Sequence, residues 1–174
     1  DQQISDQNDP YRTHLGFIVI GDDDERKGWM SYHWSLPSSF EGRMLRLFDL
    51  GNRIEDQVVD NIAKTNVMQV SALDNQGNQY RGSILGGHVG GACDGFLRNV
   101  PGYDENMVFL LEVKSANDKR FKSLVKMQDY QGWSKTYQWQ IHCYMGLFNV
   151  SKTMVIVVNK NDNNVYTCLL YTSP

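Results

Sequence analysis

Asp94, Glu112 and Lys114 are the residues whose types and spacing carry the most chemistry in this chain. An apolar run over residues 107–111 breaks at Glu112-Val113-Lys114. Side chains of a strand alternate between faces, so Glu112 and Lys114 project to one side and Val113 to the other. A carboxylate and an ammonium at the end of a buried strand need partners to offset their desolvation. Two arrangements supply them. One is an ordinary cross-strand salt bridge; the other is a hard divalent cation held by Glu112 and Asp94. In the second, Lys114 sits beside a water on that cation, and its pKa falls far enough to help deprotonate the water.

Other residues add to this pattern. Asp94 lies in Gly90-Gly91-Ala92-Cys93-Asp94-Gly95-Phe96, where glycines permit close backbone approach by a ligand. Glu55 falls on a helical stripe with Phe48, Asn52, Val59 and Ile62, as a helix-flank residue or as a ligand. Gly51, one turn earlier, costs about 1 kcal/mol relative to Ala in a helix interior, which suggests close packing there. Gln140 and Tyr144, four apart, stack on one helix face, either as core beside Tyr137 and Phe148 or as part of a site.

These residues need elements to position them. Periodicity predicts a helix over residues 40–65, then strands over 67–73 and 79–85 joined by Asp74-Asn75-Gln76-Gly77-Asn78 in a hairpin. The Gly-rich stretch 86–96 leads into a further strand, and the apolar run 107–113 reads as a buried central one. Helices follow over 119–127 and 133–148. Strands over 154–159 and 165–170 then flank the turn Lys160-Asn161-Asp162-Asn163-Asn164. This order predicts a mixed α/β sandwich. Residues 1–40 read as an N-terminal arm, with a strand over 15–20 and a solvated acidic turn at Asp22-Asp23-Asp24-Glu25. Residues 41–174 read as a single domain.

At 174 residues and 41% hydrophobic, one domain can bury its own core. No run of ~18 apolar residues offers a membrane span. The 3 cysteines do not make a disulfide scaffold and favour a reducing, cytoplasmic setting. A net charge of −3 argues against coating nucleic acid by bulk positive charge. Its distribution says otherwise: Lys114, Lys119, Arg120, Lys122 and Lys126 face only Asp118 over residues 114–126. That segment is a DNA-backbone contact or a solvated helix face. A helix N-terminus near Asn117-Asp118 adds N–H groups for a phosphate. Trp133, Tyr137 and Trp139 stack on bases or pack the core.

In combination, Asp94, then Glu112-Val113-Lys114, then Gln140-x-x-x-Tyr144 resembles the PD-(D/E)xK nuclease superfamily. More narrowly it is similar to the RecB-like and YqaJ-like phage exonuclease branch that includes lambda exonuclease. Gly51-Asn52-Arg53-Ile54-Glu55 matches the Gly-x-x-x-Glu helix of that branch. The stretches 112–121 and Asn159-Lys160-Asn161-Asp162 also look like its phage-encoded members. The resemblance covers residues 44–166, with Cys93 standing where the superfamily's name has proline.

The resemblance implies an α/β restriction-endonuclease-like core, with a central mixed β-sheet flanked by helices. It implies a Mg²⁺-dependent DNA exonuclease, Mn²⁺ substituting, in phage recombination or replication. The metal ligands would be Asp94, Glu112, the Val113 carbonyl and, as an accessory, Glu55. Lys114 would orient or activate the attacking water, while Gln140 and Tyr144 hold the site near the scissile phosphate. Ser115, Lys119, Arg120, Lys122 and Lys126 would contact DNA. Expected partners are linear duplex ends, a single-strand annealing protein and further copies of the chain, without a membrane. The alternatives are a non-catalytic recombination accessory protein and an endonuclease of the same fold. No iron–sulfur cluster is expected from 3 unclustered cysteines. Spacing does not support zinc at His88, Cys93, His142 and Cys143. With no initiating Met, and a 168–174 tail unlike the family's continuation, the chain reads as a truncated nuclease core.

Overall fold

The computed structural model describes residues 14–33 and 40–171. Two mixed sheets organise them. The larger has the order β2 (Gln69–Ser71), β5 (Gly95–Arg98), β6 (Phe109–Ala116), β7 (Lys152–Asn159), β8 (Val165–Tyr171). The apolar run of β6 makes it the central strand, antiparallel to β5 and parallel to β7. The smaller sheet has the order β1 (Leu15–Gly16), β4 (Val89–Ala92), β3 (Arg81–Ile84).

Helices cover both faces of the larger sheet. On one, Ile54 and Ile62 of α2 (Gly42–Thr65) pack with Phe109, Leu111 and Val113 of β6 and Met154, Ile156 and Val158 of β7. On the other, α3 (Asp118–Met127), α4 (Tyr130–Trp133) and α5 (Lys135–Phe148) supply Phe121, Leu124, Tyr130, Ile141, Tyr144 and Met145, against Leu110, Ala116, Val155 and Val157. The period-2 alternation of β6 and β7 therefore divides their side chains between two cores. The α/β architecture expected from the sequence is the one observed. Helix ends are locally encoded too: α2, α3 and α5 stop at Asn66, Gln128 and Asn149, each in the left-handed conformation.

Several local readings change. The predicted hairpin over 67–85 is not a hairpin of one sheet, since β2 pairs with β5 and β3 pairs with β4. Among the described residues its arms are joined by one β-bridge, Leu73 to Gln79, and by a 2.8 Å hydrogen bond between the Ser71 and Tyr80 hydroxyls. Turn chemistry reverses the chain, but the neighbours waiting on either side claim the strands. The strand expected over 15–20 lasts for Leu15–Gly16 and becomes a 3₁₀ turn, Phe17–Gly21, which drops Phe17 into the core. A Cβ on Gly21 would lie 2.7 Å from Thr136 Cα, so this turn rests directly on α5. The acidic run is not merely solvated. Asp24 caps α1 (Glu25–Tyr32) by accepting the Lys27 N–H at 3.1 Å, Asp22 pairs with Lys27 at 2.8 Å, and Asp23 pairs with Lys135. The rest of the predicted arm, residues 1–13 and 34–39, lies outside the described residues. Among the described residues, no helix is long and apolar enough to cross a membrane.

Candidate active site

Strand β6 places Glu112 and Lys114 on the face that packs against α3, α4 and α5, as alternation predicts. Glu112 is 1% exposed. Lys114 Nζ lies 2.5 Å from Glu112 Oε1 as an ion pair without hydrogen-bond directionality, and Oε2 has no donor among the described residues. A buried carboxylate oxygen without a donor forfeits the hydration it had in the unfolded chain. Asp94, in the turn from β4 to β5, accepts the Val113 N–H on Oδ2 at 2.7 Å. A main-chain donor thus ties it to the residue between Glu112 and Lys114.

The charges answer one another. Burial, more than neighbouring charge, pushes the Glu112 carboxyl well above the usual range, with Lys114 opposing and Asp94 adding to the rise. Asp94 is raised by burial as well. Glu55 is pushed up to about 7, first by burial and then by the Asp94 charge. Burial also works against the Lys114 ammonium, but Glu112 and Asp94 outweigh it and hold Lys114 above its ordinary value. The depressed Lys114 pKa expected from the sequence presupposed a cation neutralising those carboxylates. Between bare carboxylates, Lys114 is a donor and not a base.

Glu55 reaches this charge cluster from α2, the helix that covers the other face of the sheet. Among the described residues, no group of three or more His, Cys, Asp or Glu side chains is arranged to hold a metal ion. Asp94 and Glu112 lie near enough for the Asp94 charge to raise the Glu112 carboxyl. Mg²⁺ is commonly bound through one or two carboxylates, leaving the remaining positions to water and phosphate oxygens. Partnerless Glu112 Oε2 is the kind of oxygen such a cation would satisfy. These residues fit the group.

Gln140 and Tyr144 do converge on this region. Tyr144 Oη donates to the Ala92 carbonyl at 2.6 Å, two residues before Asp94, and Gln140 Nε2 donates to Tyr144 Oη at 3.4 Å. Gln140 Oε1 is buried without a partner among the described residues. Burial raises the Tyr144 phenol to about 12, which keeps it a donor at neutral pH.

Two of the glycines around Asp94 are required by the chain itself. A Cβ on Gly91 would lie 2.6 Å from Tyr144 Oη. Gly95 adopts φ +147, and a Cβ there would lie 2.7 Å from the Ser71 carbonyl oxygen. Gly51 is less constrained than expected, since a Cβ would meet Ser115 Oγ at an ordinary 3.8 Å. Phe48, assigned to the inward stripe of α2, is exposed and meets Phe40 edge-on at 5.2 Å.

The basic segment forms α3, but its N-terminus is already occupied. Asn161 Oδ1 accepts the Asp118 N–H at 3.0 Å, and Asn117 Oδ1 accepts that of Arg120 at 2.9 Å. Two of the N–H groups expected to face a phosphate are thus engaged by side chains. Lys122 is paired with Asp118 at 2.9 Å, whereas Lys119, Arg120 and Lys126 make no salt bridge among the described residues. Trp133 and Tyr137 lie partly buried at the core margin; Trp139 is 46% exposed.

Sequence reasoning missed two supports. Phe17 meets Tyr144 edge-on at 5.2 Å, which only the 3₁₀ turn makes possible. Asn159, buried at 1%, donates to Asp118 Oδ1 at 3.1 Å and binds the end of β7 to the start of α3. Its position in Asn159-Lys160-Asn161-Asp162 was the available signal.

No family model matches the chain, and no curated protein matches it. Solved structures do. An alkaline exonuclease, LHK-Exo, from Laribacter hongkongensis superposes with a TM-score of 0.63 at 13% identity, over 94% of this chain and 79% of that one. LHK-Exo in complex with dAMP gives 0.62 at 13% identity, over 94% and 80%. At that identity the likeness establishes the fold.

Proposed function

We propose that the chain is a Mg²⁺-dependent DNA exonuclease acting on linear duplex ends in phage recombination or replication. The observation that carries this reading is Glu112, buried with a partnerless carboxylate oxygen beside Asp94 and Lys114 on the central strand. The exonuclease fold and the nucleotide-bound state of LHK-Exo support it as analogy.

Asp94 and Glu112, with the Val113 carbonyl, would hold the cation, and Glu55 would act from α2 as an accessory carboxylate. When bound, Mg²⁺ supplies positive charge that stabilises the transition state of phosphodiester hydrolysis and its leaving oxygen. Lys114, kept protonated by Glu112 and Asp94, orients the attacking water by donating to it or to a phosphate oxygen. Tyr144 holds the Ala92 carbonyl and so fixes the chain that presents Asp94. Gln140 Oε1 remains free to accept from water or from a sugar hydroxyl. On α3, Lys119, Arg120 and Lys126 contact the DNA backbone, with Lys122 at the margin. Their attraction balances a centre that is acidic until loaded. Ser115, on β6 beside Gly51 of α2, would contact the backbone from the other face of the sheet.

The test compares end-labelled linear duplex, closed circular plasmid and single strands, with Mg²⁺ or EDTA, for the wild type and Glu112→Gln. Linear duplex should be degraded only by the wild type with Mg²⁺. If it survives identically with both proteins, the enzyme reading is lost. Binding without cutting would then favour the accessory-protein alternative, and cutting of the closed circle would make the protein an endonuclease.

A further inference from the structure

Two aromatic side chains beside the site are covered by cations of the chain itself. Lys114 Nζ lies 5.3 Å from the centroid of the Tyr137 ring. Arg120 Cζ lies 4.6 Å from the Trp133 ring and 6.0 Å from the same Tyr137 ring. Trp133 and Tyr137 are neighbours, their centroids 6.1 Å apart, and buried Tyr130 supports Trp133 from 5.6 Å. Trp133 Nε1 donates to the Arg120 carbonyl at 3.0 Å, so ring and guanidinium are tied to one residue's backbone as well as to each other.

We propose that Trp133 and Tyr137 form an aromatic platform that positions the Lys114 ammonium and the Arg120 guanidinium together. On the nuclease reading above, Arg120 then takes the phosphate adjoining the one that Lys114 serves. Two cations sharing one ring repel each other and need compensation. Lys114 has Glu112, but among the described residues Arg120 makes no salt bridge. The π faces supply the attraction Arg120 lacks, without consuming its N–H donors. A guanidinium stacked on indole keeps its edge free for bidentate contact with phosphate. Neighbouring Lys122, by contrast, is spent on Asp118. With Arg120 over Trp133 and both cations over Tyr137, these rings act as positioning residues and not as stacking surfaces for bases.

The full chain is examined by NMR and by steady-state cleavage of linear duplex. Lys114 ε-methylene protons should be shifted upfield by the Tyr137 ring current, retained in Tyr137→Phe and lost in Tyr137→Leu. Tyr137→Leu should lower kcat about tenfold with little change in KM, the scale of one desolvated cation–π contact, while Tyr137→Phe stays near wild type. Trp133→Leu should instead raise KM about tenfold and reduce the salt slope by about one ion, as losing one phosphate contact does. Melting curves establish that each variant is folded. Should Tyr137→Leu not fold, the wild-type ring-current shift and the Trp133→Leu salt slope decide.

An absent ring-current shift overturns the platform. So does Tyr137→Phe proving as damaging as Tyr137→Leu, or Trp133→Leu lowering kcat at unchanged KM. If the wild type cuts no DNA, the nuclease reading fails alone, and the NMR arm still decides whether the platform exists.

Discussion

The Val113 N–H donates to Asp94 Oδ2 at 2.7 Å, so the carboxylate is held by the backbone of the strand that carries Glu112 and Lys114. An amide at position 94 can still accept this bond, but it carries no charge. Asp94→Asn should therefore fold normally and lose metal-dependent cleavage by about a hundredfold or more, as removal of a transition-state charge stabiliser does. Because burial disfavours the Asp94 carboxylate, the metal-free variant should melt higher than the wild type. A variant that melts lower, or cuts as fast as wild type, contradicts this assignment.

The raised carboxyls make metal-free stability depend on pH. Glu55 moves from an ordinary value of 4.5 to about 7 on folding, and Glu112 moves in the same direction. Between those values the folded state binds more protons than the unfolded chain, so stability must fall as pH rises. The contribution is complete below 4.5 and lost on passing through about 7. Urea titrations in EDTA should show the metal-free protein weaker at pH 8 than at pH 5. Mg²⁺ should restore more stability at pH 8, because cation binding there displaces fewer protons. Equal midpoints at both pH values in EDTA would count against these shifts.

Removing Lys114 leaves Glu112 without its counter-charge. Lys114→Met should cost about 3–5 kcal/mol at pH 8, the usual scale for breaking a buried pair from one side. At pH 5 the loss should shrink, since Glu112 can take up a proton. Adding Glu112→Gln to Lys114→Met should recover much of the stability without recovering cleavage. Denaturant midpoints of the two variants at both pH values check the sign.

Tyr144 and Gly91 make a paired test of how Asp94 is presented. Gly91→Ala places a methyl 2.6 Å from Tyr144 Oη and should destabilise by about 1–3 kcal/mol through overpacking. Tyr144→Phe removes the bond to the Ala92 carbonyl and should cost about 1 kcal/mol by itself. Combined, the two should cost less than their sum, because the second change removes the atom that clashes. Additive losses in thermal unfolding would show that the hydroxyl is not the obstacle.

The central strand, the inward placement of Glu55, Val59 and Ile62 on α2, and the four-residue spacing of Gln140 and Tyr144 were legible in the sequence. Face assignment there follows from helical or strand periodicity over a few residues. Ile54, buried on α2, was not on the expected stripe, and Phe48, which was, is exposed. Because alternation alone puts Glu112 and Lys114 on one side, their partnership was readable before any fold was known. Everything that depends on who lies opposite was decided by tertiary structure. Turn chemistry at Asp74–Gly77 could not say that β2 and β3 belong to different sheets, since β5 and β4 come from later in the chain. Glycine codes for permission, not for its user: at Gly91 the user is Tyr144, and at Gly95 it is the Ser71 backbone. Basic side chains of α3 look alike in sequence: helical spacing pairs Lys122 with Asp118, but only packing lays Arg120 on Trp133. Desolvation is likewise a property of surroundings. Glu112 carries its charge problem only because α3, α4 and α5 close over β6 and leave Oε2 with no donor.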